Sequence, residues 1–267
     1  MIQLFNADCL DKMKDISSNS IDLIVCDLPF GCLEQQKRSE ESIKKYNRAR
    51  ESGVVNGCSW DIKIDLEAFW KEVKRIRKDD HTPCLHFCTT KYGFELWESN
   101  KKEFRYDLVW DKQRGVSFLS ANKMPLRSHE MIYVFSKAGA HYKRIDIDAP
   151  GKPKRTDDVT KPRSANYLAN PKLHRSTGAD ENKACIKSVI PLVKVGTFKQ
   201  GHPTEKPLEL YKFLIERYCP AGGTVLDPTF GSGNSGLAAK ELGLNYIGIE
   251  KNKEFFEKGK EKIYGSV

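Results

Sequence analysis

The sequence of 267 residues has no long apolar run, and no segment approaches the roughly 20 apolar residues that a membrane-spanning helix needs. The N-terminal segment MIQLFNADCL lacks a basic stretch followed by an apolar one, so we expect no secretory signal. Internal repeats and low-complexity tracts are also missing, which argues against solenoid and fibrous proteins. With 39% hydrophobic and 30% charged residues, the composition predicts a soluble, cytoplasmic globular protein without a membrane partner.

A cysteine framework is lacking: eight cysteines are scattered along the chain, and no export signal accompanies them. We therefore expect reduced thiols rather than a disulfide framework. The segment CLHFC at 84–88 offers two thiols and an imidazole, but no second pair of metal ligands follows it. Its alternation indicates a buried strand, so no metal site is predicted.

Positive charge is in excess, with a formal net charge of +9 at pH 7. Residues 141–200 hold 13 Lys and Arg against 6 Asp and Glu, and residues 37–50 hold 6 against 2. Two such segments favour a polyanionic partner, most often nucleic acid, over loops that merely happen to be basic.

Apolar strands alternate with amphipathic helices over most of the chain, a pattern typical of a mostly parallel α/β sheet covered on both faces. The segment LEAFWKEVKRI, for example, repeats apolar residues at the spacing of a helix. The predicted strands are 2–5, 21–26, 83–88, 106–110, 130–135, 224–226 and 245–249. The predicted helices span about 9–15, 65–77, 91–100, 207–218, 233–242 and 252–263.

The segment TVLDPTFGSGNSGLAAKELGLNYIGIE carries a nucleotide-binding fingerprint. Gly231, Gly233 and Gly236 match G-x-G-x-x-G between a predicted strand and helix, and Glu250 ends the next strand. Such glycines let the backbone approach a ligand closely, and the acid is placed to accept hydrogen bonds from ribose hydroxyls. The pattern serves NAD, FAD and S-adenosylmethionine alike, so it predicts a nucleoside cofactor without naming it. The alternative is a tight turn without a ligand.

Asp27-Leu28-Pro29-Phe30 follows a predicted strand near the other end of the chain. Only 17 residues follow Glu250, so we expect the sheet to borrow N-terminal strands and to join both turns in a circularly permuted order. Because Pro29 favours an extended Leu28, the Asp27 side chain and the Leu28 carbonyl can point the same way as a pair of acceptors. With Phe30 they suit an amino group on a planar base. A plain strand-ending turn would have the same four residues.

Two long segments, 31–58 and 139–200, interrupt the alternation. Neither has a clear period, and loops longer than about 15 residues without structure of their own are usually functional or disordered. We expect a mobile loop near the site at 31–58, and an inserted small domain or extended arm at 139–200. The flanking segments, 1–138 and 201–267, are expected to be two halves of one domain.

The motif order resembles that of the β-class DNA amino-methyltransferases. The matching segments are NADCL (6–10), DLPF (27–30), DLVWDK (107–112), SHEMIYVFSK (128–137), HPTEKP (202–207) and DPTFGSGNSG (227–236). That family commonly has Asp-Pro-Pro-Tyr at the catalytic turn. Here Leu28 keeps the backbone carbonyl, and Phe30 keeps the stacking face without the hydroxyl. Asn234-Ser235 stands where two threonines are frequent.

The resemblance implies a Rossmann-like fold that uses S-adenosylmethionine to methylate adenine N6 in double-stranded DNA, on a flipped-out base, with 139–200 as the target-recognition region. The implied catalytic residues are Asp27, Leu28, Pro29 and Phe30. The implied cofactor-binding residues are Asp8, Thr204, Lys206, Asp227, Pro228, Phe230, Gly231, Gly233, Asn234 and Glu250. The candidate DNA-binding residues are Lys152, Lys154, Arg155, Lys161 and Arg163.

Several alternatives remain open. A cytosine-N4 enzyme would use the same scaffold, and a non-catalytic DNA-binding or regulatory relative would keep the fold. An NAD-dependent oxidoreductase would share the glycine motif but leaves DLPF, HPTEKP and the basic insertion unexplained. Asp8 could simply cap the helix that follows it. A homodimer, a cognate restriction endonuclease, and a bacterial or viral source are all compatible with the sequence.

Overall fold

A computed structural model describes residues 1–31, 62–116, 118, 121–148, 183–192 and 205–265. The strands are β1 (Ile2–Asn6), β2 (Leu23–Cys26), β3 (Cys84–Cys88), β4 (Phe104–Val116), β5 (Arg127–Phe135), β6 (Ile147–Asp148), β7 (Lys183–Ala184), β8 (Val189–Pro191), β9 (Thr224–Asp227) and β10 (Asn245–Glu250). The helices are α1 (Cys9–Met13), α2 (Leu66–Ile76), α3 (Thr90–Ser99), α4 (Leu208–Tyr218), α5 (Asn234–Glu241) and α6 (Lys253–Tyr264).

Eight strands form one sheet in the order β1-β10-β9-β2-β3-β5-β4-β8. The neighbours from β1 to β3 in this order are parallel. Strand β5 is antiparallel to both β3 and β4, and β8 is parallel to β4. The predicted mostly parallel sheet is therefore confirmed. Strand β1 lies beside β10, so the N-terminal strand completes the sheet of the C-terminal segment, as the permuted motif order predicts.

Helices cover both faces of the sheet because its central strands are apolar on both sides. All residues of β2 and β3 are buried. Leu23 and Val25 belong to a core cluster with residues of α4, α5 and α6. Ile24 and Cys26 point to the opposite face, as successive residues of a strand do, and pack with residues of α1, α2 and α3. The sheet is thus the middle layer of three.

The described residues divide into two compact units, Met1–Lys143 with Ser188–Val267, and Arg144–Lys187. The second unit contains the antiparallel pair β6 and β7. Strand β8 falls inside the expected insertion, 139–200, yet it pairs with β4 in the first unit. The role of the insertion in target recognition stays a prediction. Among the helices of the described ranges, none has the length and apolarity that crossing a bilayer requires.

Candidate active site

Strands β2 and β9 are neighbours, and this pairing brings the two predicted turns together. Leu23 pairs with Val225 and Ile24 with Leu226, in parallel register. Parallel strands end at the same edge of a sheet, and ligands of open α/β sheets bind there. The turn that begins with Asp27 therefore lies beside the glycine turn after β9.

The glycine turn adopts backbone conformations that glycine alone takes without strain. Gly231 has φ +47° and Gly233 has φ +82°. A Cβ atom on Gly233 would lie 2.7 Å from the backbone oxygen of Gly259 in α6. Gly233 is thus required both for the turn and for the close packing of α6 against it.

Gly233→Ala is expected to lower the free energy of unfolding by more than about 2 kcal/mol, since the left-handed backbone alone costs roughly 1–2 kcal/mol in a residue with a side chain. The remainder comes from displacing α6, because the clash is with backbone and not with a flexible side chain. Gly243→Ala is the matched control: Gly243 has φ +69°, but its Cβ would meet nothing within 4 Å. Thermal unfolding of both variants measures the difference, and equal losses would refute the packing role.

Glu250 lies at the end of β10, as predicted, and closes the glycine turn. Its Oε2 accepts a hydrogen bond from the amide of Gly231 at 3.1 Å, and its Oε1 accepts one from the amide of Asn252 at 2.7 Å. Burial raises the pKa of Glu250, although these amide hydrogen bonds favour the charged form. The carboxylate is thus held at the edge of the sheet by backbone groups.

A cavity of about 570 Å³ opens at this edge, within the size range of small-molecule and cofactor sites. Most of the residues predicted for catalysis or cofactor binding line it. These are Asp8, Asp27, Leu28, Pro29, Phe30, Lys206, Pro228, Phe230, Gly231 and Glu250. The volume, the glycine turn and the acid beside it fit a nucleoside cofactor.

Three predicted cofactor residues, Asp227, Gly233 and Asn234, are not among the residues that line the cavity. Asp227 is 1% exposed and accepts hydrogen bonds from Ser235 Oγ at 2.6 Å and from the Thr229 amide at 3.0 Å. Burial raises its pKa to about 7, although both hydrogen bonds oppose the rise. In this structure the buried Asp227 side chain therefore stabilises the glycine turn through hydrogen bonds to residues on either side of it.

Asn234 connects the glycine turn to the HPTEKP segment. Its Nδ2 donates to the carbonyl of Lys206 at 2.7 Å and to Glu205 Oε1 at 2.8 Å. Lys262 of α6 donates to the same Glu205 oxygen at 2.6 Å. The amide group of Asn234 thus helps to fix the backbone at Lys206. Its predicted contact with a cofactor would have to be made alongside these bonds.

Asp8 has the two features that the sequence left as alternatives. It is the N-cap of α1, since Oδ1 accepts from the Leu10 amide at 3.0 Å, and it also lines the cavity. Its Oδ2 pairs with Lys251 at 3.0 Å. The capping role is seen directly, and the cofactor role stays a prediction.

All four residues of the DLPF turn, one acidic and three apolar, line the cavity. Leu28 is 1% exposed and packs in the core, so its side chain anchors the turn. Phe30 lies against Tyr92, with ring centroids 5.0 Å apart and planes inclined by 31°. The carboxylate of Asp27 also lines the cavity. An acidic acceptor and an aromatic face thus stand side by side.

Asp27 is the first of four charged side chains of alternating sign that pair one after another. Lys206 Nζ lies 2.5 Å from Asp27 Oδ2 and 3.3 Å from Glu130 Oε2. Lys112 is hydrogen-bonded to the other oxygen of Glu130. These side chains are mostly buried, with exposures of 4% for Lys206, 8% for Lys112, 16% for Glu130 and 18% for Asp27. We call these four residues the ionic chain.

The residues of the ionic chain differ in how strongly their neighbours stabilise the charged form. Burial alone would raise the pKa of Glu130, but the charges of Lys206 and Lys112 lower it to about 2. Burial would lower the pKa of Lys206, but Asp27 and Glu130 raise it well above the usual range. For Asp27 burial prevails: its pKa is raised despite Lys206, with Glu130 adding to the rise. Asp27 is therefore the member best able to take up a proton.

Sequence reasoning singled out only half of the ionic chain. Asp27 and Lys206 come from recognised motifs, but Lys206 was expected to bind the cofactor and here it pairs with Asp27. Glu130 and Lys112 belong to the matching segments SHEMIYVFSK and DLVWDK, and neither was predicted for the site. Thr204 lies outside the described residues, as do Lys152, Lys154, Arg155, Lys161 and Arg163.

Known proteins resemble this chain along nearly its full length. Residues 21–261 match the model of the N6/N4 DNA methylase family. The type II methyltransferase M.HinfI of Haemophilus influenzae is 25% identical, over 97% of this chain and 67% of its own.

Solved structures share the fold. The M1.HpyAVI-SAM complex has a TM-score of 0.58 and 21% identity, over 98% of this chain and 100% of its own. The PvuII DNA methyltransferase (cytosine-N4-specific) has a TM-score of 0.62 and 16% identity, over 97% of this chain and 85% of its own. The predicted Rossmann-like methyltransferase fold is confirmed. With most of its length matched by the family model, this chain belongs to the N6/N4 DNA methylases, which use S-adenosylmethionine.

Proposed function

We propose that the chain methylates the N6 amino group of adenine in DNA. The observation that carries this proposal is the convergence of the Asp27 turn and the Glu250 turn on one cavity. The choice of adenine rests on the family resemblance, in which an initial Asp in the catalytic turn is typical of adenine enzymes.

The cofactor would lie against the glycine turn, with its ribose at Glu250 and its adenine end near Asp8. Phe230 supplies an apolar wall. When bound, S-adenosylmethionine would supply a methyl group on a sulfonium sulfur, from which an amine nitrogen can displace a neutral thioether. The protein has to orient that nitrogen and exclude water from it.

Asp27 and the Leu28 carbonyl are the proposed acceptors for the two N–H bonds of the target amino group. The nitrogen is a poor nucleophile because its lone pair is delocalised into the ring. Hydrogen bonds from both N–H groups to these acceptors direct the lone pair of the nitrogen out of the ring. Because the acceptors are already in place, the protein does not have to reorganise during the reaction. The methylated nitrogen must then lose a proton, and Asp27, with its raised pKa, is placed to take it.

Phe30 is the proposed stacking face for the target base. An amino group inside a duplex is hidden, so the base has to be flipped out, at a cost of a few kcal/mol. Tyr92 backs the Phe30 ring, which keeps the ring from turning away. Stacking on it would return part of the flipping cost.

Cytosine N4 is the competing target, because the N6/N4 family includes both activities and the PvuII neighbour is described as cytosine-N4-specific. Incubation of the protein and S-adenosylmethionine with unmethylated plasmid, followed by digestion to nucleosides and mass spectrometry, distinguishes the two. We expect N6-methyladenine, absent from an Asp27→Ala control. N4-methylcytosine would overturn the choice of base, and no methylated base would overturn the activity.

The DNA partner is proposed to be contacted by the basic residues of 139–200. The description of M.HinfI as a type II methyltransferase supports a further proposal, that a cognate restriction endonuclease accompanies this chain. The sequence recognised in the DNA would be the same for both enzymes.

A further inference from the structure

The ionic chain joins parts of the molecule that are far apart in sequence. Asp27 follows β2, Lys112 lies in β4, Glu130 lies in β5, and Lys206 precedes α4. Burying charge is costly unless each group is paired. Four charged side chains so deep beside a reaction cavity therefore call for an explanation beyond stability.

Glu130 is the central anion of the ionic chain. One of its oxygens is hydrogen-bonded to Lys112, and the other lies 3.3 Å from Lys206 Nζ. Lys112 fixes the Glu130 carboxylate in turn, and the Lys112 ammonium also lies 5.2 Å from the centre of the Trp110 ring. Glu130 lines the cavity with Asp27 and Lys206. The ammonium of Lys206 thus lies between the carboxylates of Glu130 and Asp27.

We propose that Glu130 is a positioning residue for methyl transfer: it shares the ammonium of Lys206, which binds Asp27 Oδ2, so that the Asp27 carboxylate stays a basic acceptor for the target amino group. The inference rests on the proposed role of Asp27, whichever base is methylated.

The physical reason lies in the competition for Asp27. A cation at 2.5 Å from Oδ2 lowers the basicity of the carboxylate and competes with the amino group for it. Glu130 draws the same ammonium from the other side and adds negative charge near Asp27. Without Glu130, the ammonium is expected to pair with Asp27 alone, and the Asp27 carboxylate then becomes a weaker and displaced acceptor.

The test is Glu130→Gln, measured as the single-turnover rate of methyl transfer to DNA with saturating S-adenosylmethionine. We expect the rate to fall roughly 10²-fold, the loss associated with a displacement of about 1 Å at a reacting group. The dissociation constant of S-adenosylmethionine, measured by calorimetry, is expected to stay within a few-fold of the wild type, since Glu130 acts on Asp27.

Glu103→Gln is the matched control for loss of a buried carboxylate. Glu103 pairs with Arg77 at 3.1 Å, and the two side chains are 12% and 11% exposed. Neither residue lines the cavity. This variant is expected to lose thermal stability and to keep the wild-type single-turnover rate at temperatures where it remains folded.

A second variant covers the case in which Glu130→Gln fails to fold, because Lys112 would be left as a buried, unpaired cation. Glu130→Gln combined with Lys112→Gln removes one charge of each sign. The double variant is expected to regain stability without regaining the rate. A double variant with the wild-type rate would show that Glu130 serves only to neutralise Lys112, and would overturn the proposal.

The pH profile gives a readout that a purely structural role would not move. Glu130 raises the pKa of Asp27, so its removal should shift the acid limb of the single-turnover rate to lower pH, whereas Lys206 and Lys112 act in the opposite direction. The neighbouring groups are the thiols of Cys26 and Cys88, the phenols of Tyr92 and Tyr211, and Asp227. The thiols and phenols stay neutral, but Asp227, with its pKa of about 7, titrates in the assay range in every variant.

The variants are therefore compared with Glu103→Gln at each pH. An acid limb that stays in place in Glu130→Gln, with the rate unchanged, would sink the inference while wild-type activity upholds the proposed function. If the wild-type protein transfers no methyl group at all, the proposed function fails first.

Discussion

Asp27→Ala is expected to reduce methyl transfer by roughly 10³-fold or more, because it removes an acceptor for the amino group and a base for the departing proton at once. The side chain lies at the carboxyl end of β2, in a cavity with Phe30 and the glycine turn. No described neighbour can replace it from the same position, since Glu130 is held behind Lys206.

The measurement is single-turnover transfer of a labelled methyl group to DNA, with the dissociation constant of S-adenosylmethionine determined in parallel. That constant is expected to remain within a few-fold of the wild type, because Asp27 is proposed to contact the target base and not the cofactor. Asp27→Asn retains the shape and one acceptor oxygen and should keep a small residual rate. Asp111→Asn, on β4 and outside the cavity lining, is the control. Turnover of Asp27→Ala near the wild-type level would remove Asp27 from the mechanism.

Glu250→Ala is expected to weaken the binding of S-adenosylmethionine by roughly 10- to 100-fold, because hydrogen bonds to a charged group contribute about 1.5–3 kcal/mol. The carboxylate is anchored by the amides of Gly231 and Asn252, so it is already ordered for the contact with ribose hydroxyls that we propose. Removing it also releases those amides, and a lower melting temperature should accompany the loss of affinity.

Titration calorimetry measures the affinity for S-adenosylmethionine. Two further variants separate the effect of the Glu250 charge from that of losing any nearby carboxylate. Glu250→Gln keeps an acceptor oxygen without the charge and is expected to bind with intermediate affinity. Glu254→Ala removes a carboxylate that is 71% exposed and outside the cavity lining, and should bind as the wild type does. An unchanged dissociation constant in Glu250→Ala would exclude a contact with the ribose.

The fold was predictable to the extent that local apolar patterns encode it. Strands β2, β3, β9 and β10 were placed to within about two residues, because each has a short run of mostly apolar, buried residues. Strand β4 extends from Phe104 to Val116, well past the predicted end at 110. Its polar end persists because it pairs with β5 up to Arg127, and pairing between distant segments has no local signature. For the same reason the short strand β8 was not predicted.

The residues of the two turns at the site were predictable from the sequence, whereas two of the buried charged residues beside them were not. Glycine spacing and the terminal acid reveal Gly231 and Glu250 because the chemistry there is local. Glu130 and Lys112 carry no such signal: each is one charged residue in a strand, and they reach Asp27 only through Lys206, which is 179 residues away from it. Asp227 and Asn234 were predicted to bind the cofactor because they belong to the glycine motif. Their observed hydrogen bonds are to other residues of the protein, and their contact with a cofactor stays a prediction.

The neighbouring position of β2 and β9 also bears on how the protein is made. Asp22 accepts a hydrogen bond from the amide of Thr224, and about 200 residues separate the two. Strand β2 is therefore synthesised long before β9, the strand that pairs with this edge. During synthesis the apolar segment LIVC therefore presents unpaired backbone groups, the kind of edge to which other chains add strands. Late pairing of such distant segments slows folding. We therefore expect refolding yields that fall with protein concentration and improve when a chaperone shields this edge.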